Sequence, residues 1–323
     1  MNRTVAVADI GGTHARFALA EVADGHVLSL GEAVTLRTAE HQSLQSAWGE
    51  FRRIAGTDLP RDFAMAFAGP IGAAVLELTN SNWVVRPEDF RELLDVDQCT
   101  IVNDFGAVAH CVAQLGPEYF EQLCGPADPM PETGVTSVIG LGTGLGVAQL
   151  VKTADSYHVV ETEGGHMDFA PLDEVEDRIL AYLRRSYPRV SVERIVSGSG
   201  LANLYAAMAS IEGVGVPQSE DGIIWNSALD GCDPRAVAAL GRLLSTLGSV
   251  AGDLALAHGS NSVVIAGGLG YRLKDRLAKS GFVGRFAAKG RFQERMKAIP
   301  VKLLNHPQPG LYGAAAAFAK EHP

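Results

Sequence analysis

Hydrophobic positions recur along the chain with the two periods that are typical of strands and of helices. Runs rich in Val, Ile and Ala at residues 5–10, 15–20 and 27–36 are separated by turn residues, which predicts an antiparallel meander of strands. Apolar side chains then recur at helical spacing over residues 44–54, so we expect an amphipathic helix that covers this sheet. Strands that end at Phe67 and Val102, with a helix near residues 86–94 between them, complete a mixed α/β layer.

The second half of the chain repeats this plan. Apolar runs predict strands near residues 136–141, 146–151 and 157–161, and helical spacing predicts helices near residues 173–187 and 200–211. A fold built twice from one pattern suggests that the chain arose by duplication.

A longer apolar pattern over residues 234–258 predicts a buried helix. Gly241, Gly248 and Gly252 lie on one stripe of it. Close packing of another helix would explain the stripe, and so would the approach of a bound adenine.

The domain boundaries follow from composition. Residues 116–133 hold four prolines and are typical of a connector, part of which, within residues 117–123, could be helical. We place the hinge near Ala109 and expect an Ala-rich helix at residues 310–320 to cross back to the first domain. The prediction is therefore a small α/β domain over residues 1–109, completed by 305–323, and a large α/β domain over residues 110–304.

Two glycine turns carry the first chemical signal. Ala8-Asp9-Ile10-Gly11-Gly12-Thr13 is matched by a Gly/Thr turn at residues 140–146, and Gly11 and Gly142 stand 131 residues apart in an alignment without gaps. Each turn lies between two apolar runs, so both copies predict strand, turn, strand. Backbone N–H groups in such turns can converge on an anion, and glycine lets them approach phosphate oxygens. The pair predicts that the phosphates of a nucleotide are bound from two domains.

Composition narrows the classes of partner. The chain has 323 residues, 47% of them hydrophobic, and a formal net charge of -10, which argues against binding to nucleic acid or to an anionic membrane. No apolar run reaches the roughly 18 residues of a spanning helix, and the N-terminus shows no signal peptide pattern. The four cysteines lack CxxC spacing, so we expect reduced thiols in the cytoplasm.

Two common nucleotide motifs are absent from the sequence. There is no GxxxxGK[ST], and the glycines of residues 140–146 do not form GxGxxG, so neither a Walker-type NTPase nor a dinucleotide dehydrogenase is supported. Asp9 instead precedes the glycines at the end of a strand, where it could order water around a magnesium ion on the phosphates. A plain tight turn is the alternative interpretation.

Asn103 and Asp104 follow an apolar strand and open a helix. Open α/β sheets bind ligands at the carboxyl ends of their strands, which favours a functional role for Asp104. Asp is also a favoured N-cap, so Asp104 could simply cap the helix beginning at Phe105.

A further polar segment runs from Glu161 to His166. An acid and an imidazole separated by two glycines can fold onto one small polar ligand, because the carboxylate accepts hydroxyl protons and the imidazole donates or accepts. Zinc ligation is the competing hypothesis, but Cys-bearing or HxE spacing is absent around it. Glu193 precedes a glycine-flanked helix start, and a solvated surface side chain is the alternative there.

These motifs together resemble a known family. DIGGTHARF, LTNSNW, IVNDFGAVAH, LGTGLGVA, ETEGGHMDFAP, VSVERIVSG and VVIAGG occur in the order typical of bacterial glucokinases of the non-ROK group, within the hexokinase/actin-like ATPase superfamily. The tail PQPGLYGAAAAF extends the resemblance to almost the whole chain. One departure is His14, where many relatives have Asn. The zinc motif of the related ROK kinases is missing.

The resemblance implies a role for each matching residue. Asp104 would be the catalytic base, and the glucose-binding residues would be Asn82, Asn103, Asp104, Glu163, His166 and Glu193. The residues around ATP would be Ala8, Asp9, Ile10, Gly11, Gly12, Thr13, Gly142, Thr143, Gly144, Gly267 and Gly268. Magnesium would arrive with ATP, without direct protein ligands, and Asp9 would reach it through water.

The resemblance also implies the fold and the activity. We expect a duplicated, ribonuclease H-like α/β chain with the two-domain actin-like ATPase fold and a central cleft. The activity would be ATP-dependent phosphorylation of D-glucose to glucose 6-phosphate in glycolysis, by a cytoplasmic homodimer. A kinase for another hexose or an N-acylated amino sugar is the alternative, and a silent nucleotide-binding regulator is a third hypothesis, against which Asp104 argues.

Overall fold

The structure is a computed structural model that describes residues 2–56, 59–69, 71, 75–78, 83–215 and 220–323. The chain forms two compact units. The first takes in the described residues up to Gly116, together with Val159–Glu161 and His306–Pro323. The second takes in Pro117–His158 and the described residues of Thr162–Asn305. The predicted boundaries at residues 109 and 305 stay predictions, and Ala109 lies inside a helix.

The first part of the chain forms strands β1 (Arg3–Ile10), β2 (His14–Ala23), β3 (His26–Leu30) and β4 (Val34–Arg37), helix α1 (Leu44–Ala55), strands β5 (Asp62–Phe67), β6 (Leu76–Glu77) and β7 (Val84–Val85), helix α2 (Phe90–Leu94), strand β8 (Gln98–Asn103) and helix α3 (Asp104–Gln114). The rest forms strands β9 (Phe120–Cys124), β10 (Gly134–Leu141), β11 (Leu145–Lys152) and β12 (Tyr157–Thr162), helices α4 (Glu174–Leu183), α5 (Gly200–Ile211), α6 (Asp221–Asp230) and α7 (Pro234–His258), strand β13 (Ser262–Ala266), helices α8 (Gly268–Arg272), α9 (Lys274–Leu277), α10 (Phe282–Ala287) and α11 (Gln293–Lys297), strand β14 (Val301–Leu304) and helix α12 (Pro309–Glu321).

The predicted repeat is confirmed by the two main sheets. Their strand orders are β3-β2-β1-β5-β8, with β4 also paired to β2, and β12-β11-β10-β13-β14-β9. β1 pairs antiparallel with β2 and parallel with β5, and β10 pairs in the same way with β11 and β13. Parallel central strands bring their carboxyl ends to one edge of each sheet, which is where the glycine turns lie.

The core of the first unit has two layers because both faces of β1 are buried. One face packs against aromatic side chains of α1, including Trp48 and Phe51. The other face packs against α12, whose alanines let it lie close to the sheet. α12 and α3 approach so closely at Gly313 that a Cβ there would collide with the carbonyl oxygen of Ala107. His306–Pro323, which include α12, belong to the first unit.

The core of the second unit is built around the long helix α7, which has the predicted bounds. A Cβ at Gly248 would collide with the carbonyl oxygen of Phe282, and one at Gly252 would lie 2.5 Å from that of Phe286. Close packing of α10 therefore accounts for these two glycines. At Gly241 a Cβ would meet no atom within 4 Å.

Two segments differ from the sequence-based expectation. The connector begins with a short 3-10 turn, Pro117–Tyr119, but continues as an edge strand, β9, that was not predicted. The backbone of β9 pairs with β14 across a sequence separation that no local pattern reveals. The single strand expected over residues 27–36 is wrong, because this segment divides into β3 and β4, which both pair with β2.

Candidate functional site

The first glycine turn joins β1 to β2. Gly11 N donates to the His14 carbonyl at 2.9 Å, which closes the turn. Thr38 braces it from outside: its hydroxyl donates to the Gly12 carbonyl at 2.7 Å, and its amide donates to the Thr13 carbonyl at 3.1 Å. Thr38 is buried, so solvent has little access to this support. This contact could not be predicted from the sequence, because nothing local marks a threonine 25 residues after Thr13 as part of the turn.

Asp9 stands at the end of β1, just before this turn. Its carboxylate accepts from Arg16 Nη1 at 3.2 Å, and its side chain is 22% exposed. The first turn of α12 lies against it, since a Cβ at Gly310 would be 2.7 Å from Asp9 Cγ. Burial raises the pKa of Asp9, and the neighbouring Arg16 guanidinium opposes that rise. The carboxylate is therefore held by one cation and one close backbone contact.

The second glycine turn, residues 142–144, joins β10 to β11. Gly142 N donates to the carbonyl two residues on, that of Gly144, at 3.0 Å. The matching bond of the first turn, from Gly11 N to the His14 carbonyl, spans three residues. Gly198 N donates to the Gly142 carbonyl at 2.9 Å, and the Trp225 indole donates in turn to the Gly198 carbonyl at 2.7 Å. The turn is thus backed by a second layer of hydrogen bonds from α6.

Glu193 lies against this second turn. Its Oε2 accepts from Leu145 N at 2.9 Å, and a Cβ at Gly144 would collide with it. The interpretation of Glu193 as a solvated surface side chain is therefore wrong. Its contact with the turn was not foreseen, because it joins residues 48 positions apart.

Gly267 and Gly268 follow β13 on the same sheet edge. Gly267 has φ of 90°, and a Cβ there would also collide with the Leu141 carbonyl, so glycine is needed on both grounds. Gly268 opens α8, and a Cβ there would meet no atom within 4 Å. Because β13 runs parallel to β10, both glycines lie at the edge that carries the second turn.

Asn103 and Asp104 lie where β8 ends and α3 begins. Asn103 is the N-cap: its Oδ1 accepts from Phe105 N at 2.9 Å and from Gly106 N at 3.2 Å. Its Nδ2 donates to the Gly69 carbonyl at 3.1 Å. Asp104 is the first residue of the helix, and its Oδ1 accepts from Phe105 N at 2.9 Å. The suggestion that Asp104 is the cap is wrong, since Asn103 takes that position.

Glu161 also reaches the start of α3. Its Oε1 accepts from Asn103 N at 2.8 Å, and a Cβ at Gly106 would collide with the same oxygen. Burial raises the pKa of Glu161, while the hydrogen bond from Asn103 opposes the rise. Glu161 was predicted only as the first residue of the polar segment that ends at His166, without a role of its own.

Glu163 precedes the short 3-10 turn Gly164–His166 in the second unit, and His166 is the last residue of that turn. His166 Nε2 and Glu163 Oε2 are 3.9 Å apart, and both side chains are more than half exposed. Arg189 fastens this turn: its Nη2 donates to the His166 carbonyl at 2.7 Å and its Nε donates to Asp168 Oδ1 at 2.5 Å. A Cβ at Gly165 would collide with the Leu145 carbonyl, which explains that glycine.

The candidate residues therefore form two groups. Asp9, the first glycine turn, Asn103, Asp104 and Glu161 belong to the first unit, and the second turn, Glu163, His166, Glu193, Gly267 and Gly268 belong to the second. Asn82 lies outside the described residues, and its predicted role stays a prediction. Within the described part of the chain, no three His, Cys, Asp or Glu side chains are grouped so that they could hold a metal ion. No helix in the same part is long and apolar enough to cross a membrane.

Comparisons with known proteins identify the family and the fold of the chain. The family model for Glucokinase matches residues 6–321 of the chain. The glucokinase of Zymomonas mobilis is 55% identical over 314 residues, which cover 97% of each protein. A glucokinase structure from an Antarctic psychrotroph is 35% identical with a TM-score of 0.84 over 98% of each chain. The structure of Balamuthia mandrillaris glucokinase in complex with glucose is 21% identical, with a TM-score of 0.81 over 99% of this chain and 94% of that one. The predicted duplicated, actin-like fold is confirmed.

Proposed function

This chain belongs to the glucokinase family, and we therefore propose that it transfers the γ-phosphoryl group of ATP to the 6-hydroxyl group of D-glucose. The observation that carries the proposal is the start of α3. Asn103 makes the capping hydrogen bonds there, while the carboxylate at the next position, Asp104, stands at the carboxyl end of β8. That is the place where open α/β sheets bind ligands.

In this proposal Asp104 is the catalytic base. It accepts the proton of the 6-hydroxyl group as that oxygen attacks the γ-phosphorus, and the bond between phosphorus and the bridging oxygen of ADP breaks. Asp104 is the first residue of α3, and its Oδ1 accepts from Phe105 N at 2.9 Å, which holds the carboxylate at the start of the helix.

The sugar would be recognised by Asn82, Asn103, Glu163, His166 and Glu193. Carboxylates accept hydrogen bonds from sugar hydroxyl groups, and a sugar with a mismatched hydroxyl would leave such an acceptor unsatisfied at a cost of about 1–3 kcal/mol. Discrimination between epimers should therefore be steep. What supports Glu193 in this role is that Leu145 N bonds to its Oε2, while no hydrogen bond is made to its Oε1 among the residues that the structure describes.

The phosphates would be bound by the backbone of the two glycine turns, and the adenosine would lie near Gly267 and Gly268. The donor set fits a nucleotide-borne magnesium ion, because Asp9 supplies one carboxylate beside the first turn and magnesium commonly keeps several waters. When bound, that ion neutralises charge developing on the phosphate oxygens. In this proposal the residues of the chain position the magnesium ion without binding it directly.

Two further proposals concern the cellular compartment and the oligomeric state. All four cysteines are free, and burial raises the pKa of the Cys99, Cys111 and Cys124 thiols, which suits a reducing cytoplasm. A homodimer is proposed from the family resemblance, and light scattering on the purified protein would measure its mass.

The test is a coupled assay across hexoses and N-acylated amino sugars with ATP and magnesium, on the wild type and on Asp104→Asn. Asn103 is the cap, and the side-chain amide oxygen introduced by Asp104→Asn can still accept from Phe105 N. Thermal stability should therefore not change.

That amide oxygen keeps the hydrogen bond but is a far weaker proton acceptor than a carboxylate, so kcat should fall ~10²-fold or more while glucose still binds. Near wild-type turnover in a stable, glucose-binding variant would refute the role of Asp104. If another sugar is phosphorylated faster than glucose, that sugar replaces glucose as the proposed substrate.

A further inference from the structure

The first turn of α3 lacks the Glu or Gln side chain that completes the N-terminal cap of many helices. In a capping box, the N-cap side chain bonds the amide three residues on, and a Glu or Gln at that third position bonds back to the N-cap amide. Asn103 makes the first of these bonds, to Gly106 N at 3.2 Å. Gly106 has no side chain with which to return the second.

Glu161 supplies the missing bond from a distant part of the sequence. Its Oε1 accepts from Asn103 N at 2.8 Å, and it occupies the space that a Cβ at Gly106 would take. The carboxylate therefore stands where the third side chain of a capping box would be, across a separation of 58 residues. The glycine at position 106 and the glutamate at position 161 fit together as one device.

We propose that Glu161 is a positioning residue that completes the cap of α3 and thereby fixes Asn103 and Asp104 for phosphoryl transfer. The inference rests on the proposed function of Asp104. Glu161 acts through the backbone: the N–H group that it holds belongs to Asn103, and the peptide that follows carries Asp104. Displacement of a catalytic group by about 1 Å can cost on the order of 10²-fold in rate.

Three variants separate this role from a merely structural one. Glu161→Ala removes the acceptor, Glu161→Gln keeps an acceptor oxygen without charge, and Gly106→Ala places a methyl group where Oε1 lies. Glu161→Ala and Gly106→Ala should each lower kcat about 10-fold or more, whereas Glu161→Gln should stay within about threefold of wild type. Glu21→Ala, an exposed glutamate on β2, is the matched control and should leave kcat unchanged.

A second-site variant tests the geometry directly. Gly106→Gln in the Glu161→Ala background restores a capping box within one helix, so kcat should recover at least in part. Absence of recovery, with the variant folded to the wild-type melting temperature, would overturn the positioning role. Equal loss in Glu161→Gln and Glu161→Ala would also overturn it, because charge rather than the hydrogen bond would then matter.

Hydrogen exchange of the Asn103 amide gives a readout that does not depend on activity. Exchange should be faster in Glu161→Ala and Gly106→Ala than in the wild type, and close to wild type in Glu161→Gln. If exchange follows this pattern while no sugar is phosphorylated by the wild type, the proposed function fails and the capping device stands. If exchange is the same in all variants, the capping device fails whatever the activity.

Discussion

A cluster of four charges around the buried side chain of Glu176, in the second unit, allows one prediction to be worked out in detail. Glu176 on α4 is 2% exposed at its side chain, and its Oε1 accepts from Arg242 at 3.1 Å and from Arg285 at 3.0 Å. Its Oε2 accepts from Leu172 N at 2.7 Å. Asp173, the N-cap of α4, binds the same two arginines. The cluster joins α4 to α7 and α10 through one carboxylate that water scarcely reaches.

The perturbation is to replace the arginines by methionine, singly and together. Each single variant leaves Glu176 with the other arginine, so it should lose about 1–2 kcal/mol of unfolding free energy. The double variant leaves a buried carboxylate with no cation, and breaking a buried ion pair in this way costs about 3–5 kcal/mol. The double loss should therefore exceed the sum of the single losses by about 1 kcal/mol, taken at the midpoints of these ranges.

The measurement is urea unfolding followed by circular dichroism and by tryptophan fluorescence, to which Trp225 of the second unit contributes. Adding Glu176→Gln to the double variant removes the orphaned charge but keeps an acceptor for Leu172 N, so most of the excess loss should be regained. Lys297→Met, which breaks an exposed pair with Glu294, is the control and should leave stability unchanged. Strictly additive losses, or no recovery with Glu176→Gln, would refute this reasoning.

Three further predictions concern stability in acid, the turn that carries Glu163 and His166, and the metal. Burial alone would raise the pKa of Asp173, but hydrogen bonds from Glu176 N and Arg242 and the charges of both arginines outweigh burial and lower that pKa. The contribution of Asp173 to stability is therefore present above the ordinary Asp pKa of about 4 and is lost as pH falls below it. Thermal unfolding measured across acid pH checks this. Arg189→Ala should raise the glucose KM about fivefold, the worth of one hydrogen bond to the His166 carbonyl, without changing the melting temperature; an unchanged KM would remove Arg189 from the site. Activity should require magnesium and survive a zinc-selective chelator, and a loss that magnesium cannot restore would contradict the non-ROK assignment.

The parts of the fold that were predictable are those specified by local periodicity. The alignment that places Gly11 over Gly142 predicted two strand–turn–strand units, and α7 was predicted to the residue because its apolar pattern is long and ends at Gly259, which adopts a left-handed φ of 67°. Short apolar runs were less informative. β9 was missed because its partner, β14, lies far along the chain.

The sequence indicated the acidic residues of the candidate site, but not the residues that hold them in place. Asp9, Asp104 and Glu163 stand out because each carboxylate lies at or just after the end of a strand. Glu193 instead precedes a glycine-flanked helix start. Their supports did not stand out: Thr38, Glu161 and Arg189 act through hydrogen bonds to backbone atoms that are distant in sequence, and such bonds leave no periodic trace. The assignment of the cap to Asn103 rather than Asp104 depended on a one-residue difference in where the helix begins.

The position of α12 has a consequence for the order in which the protein forms during synthesis. One face of β1, made by Val5 and Val7, is covered by Leu311, Phe318 and the alanines between them. The ribosome makes the strand early and its cover last, so this apolar face has no partner until residues 309–321 have emerged. The second unit contains only residues made before that point and can form while translation continues. Nascent chains that stop short of α12 should therefore depend on chaperones, although every proposed catalytic and binding residue has already been made.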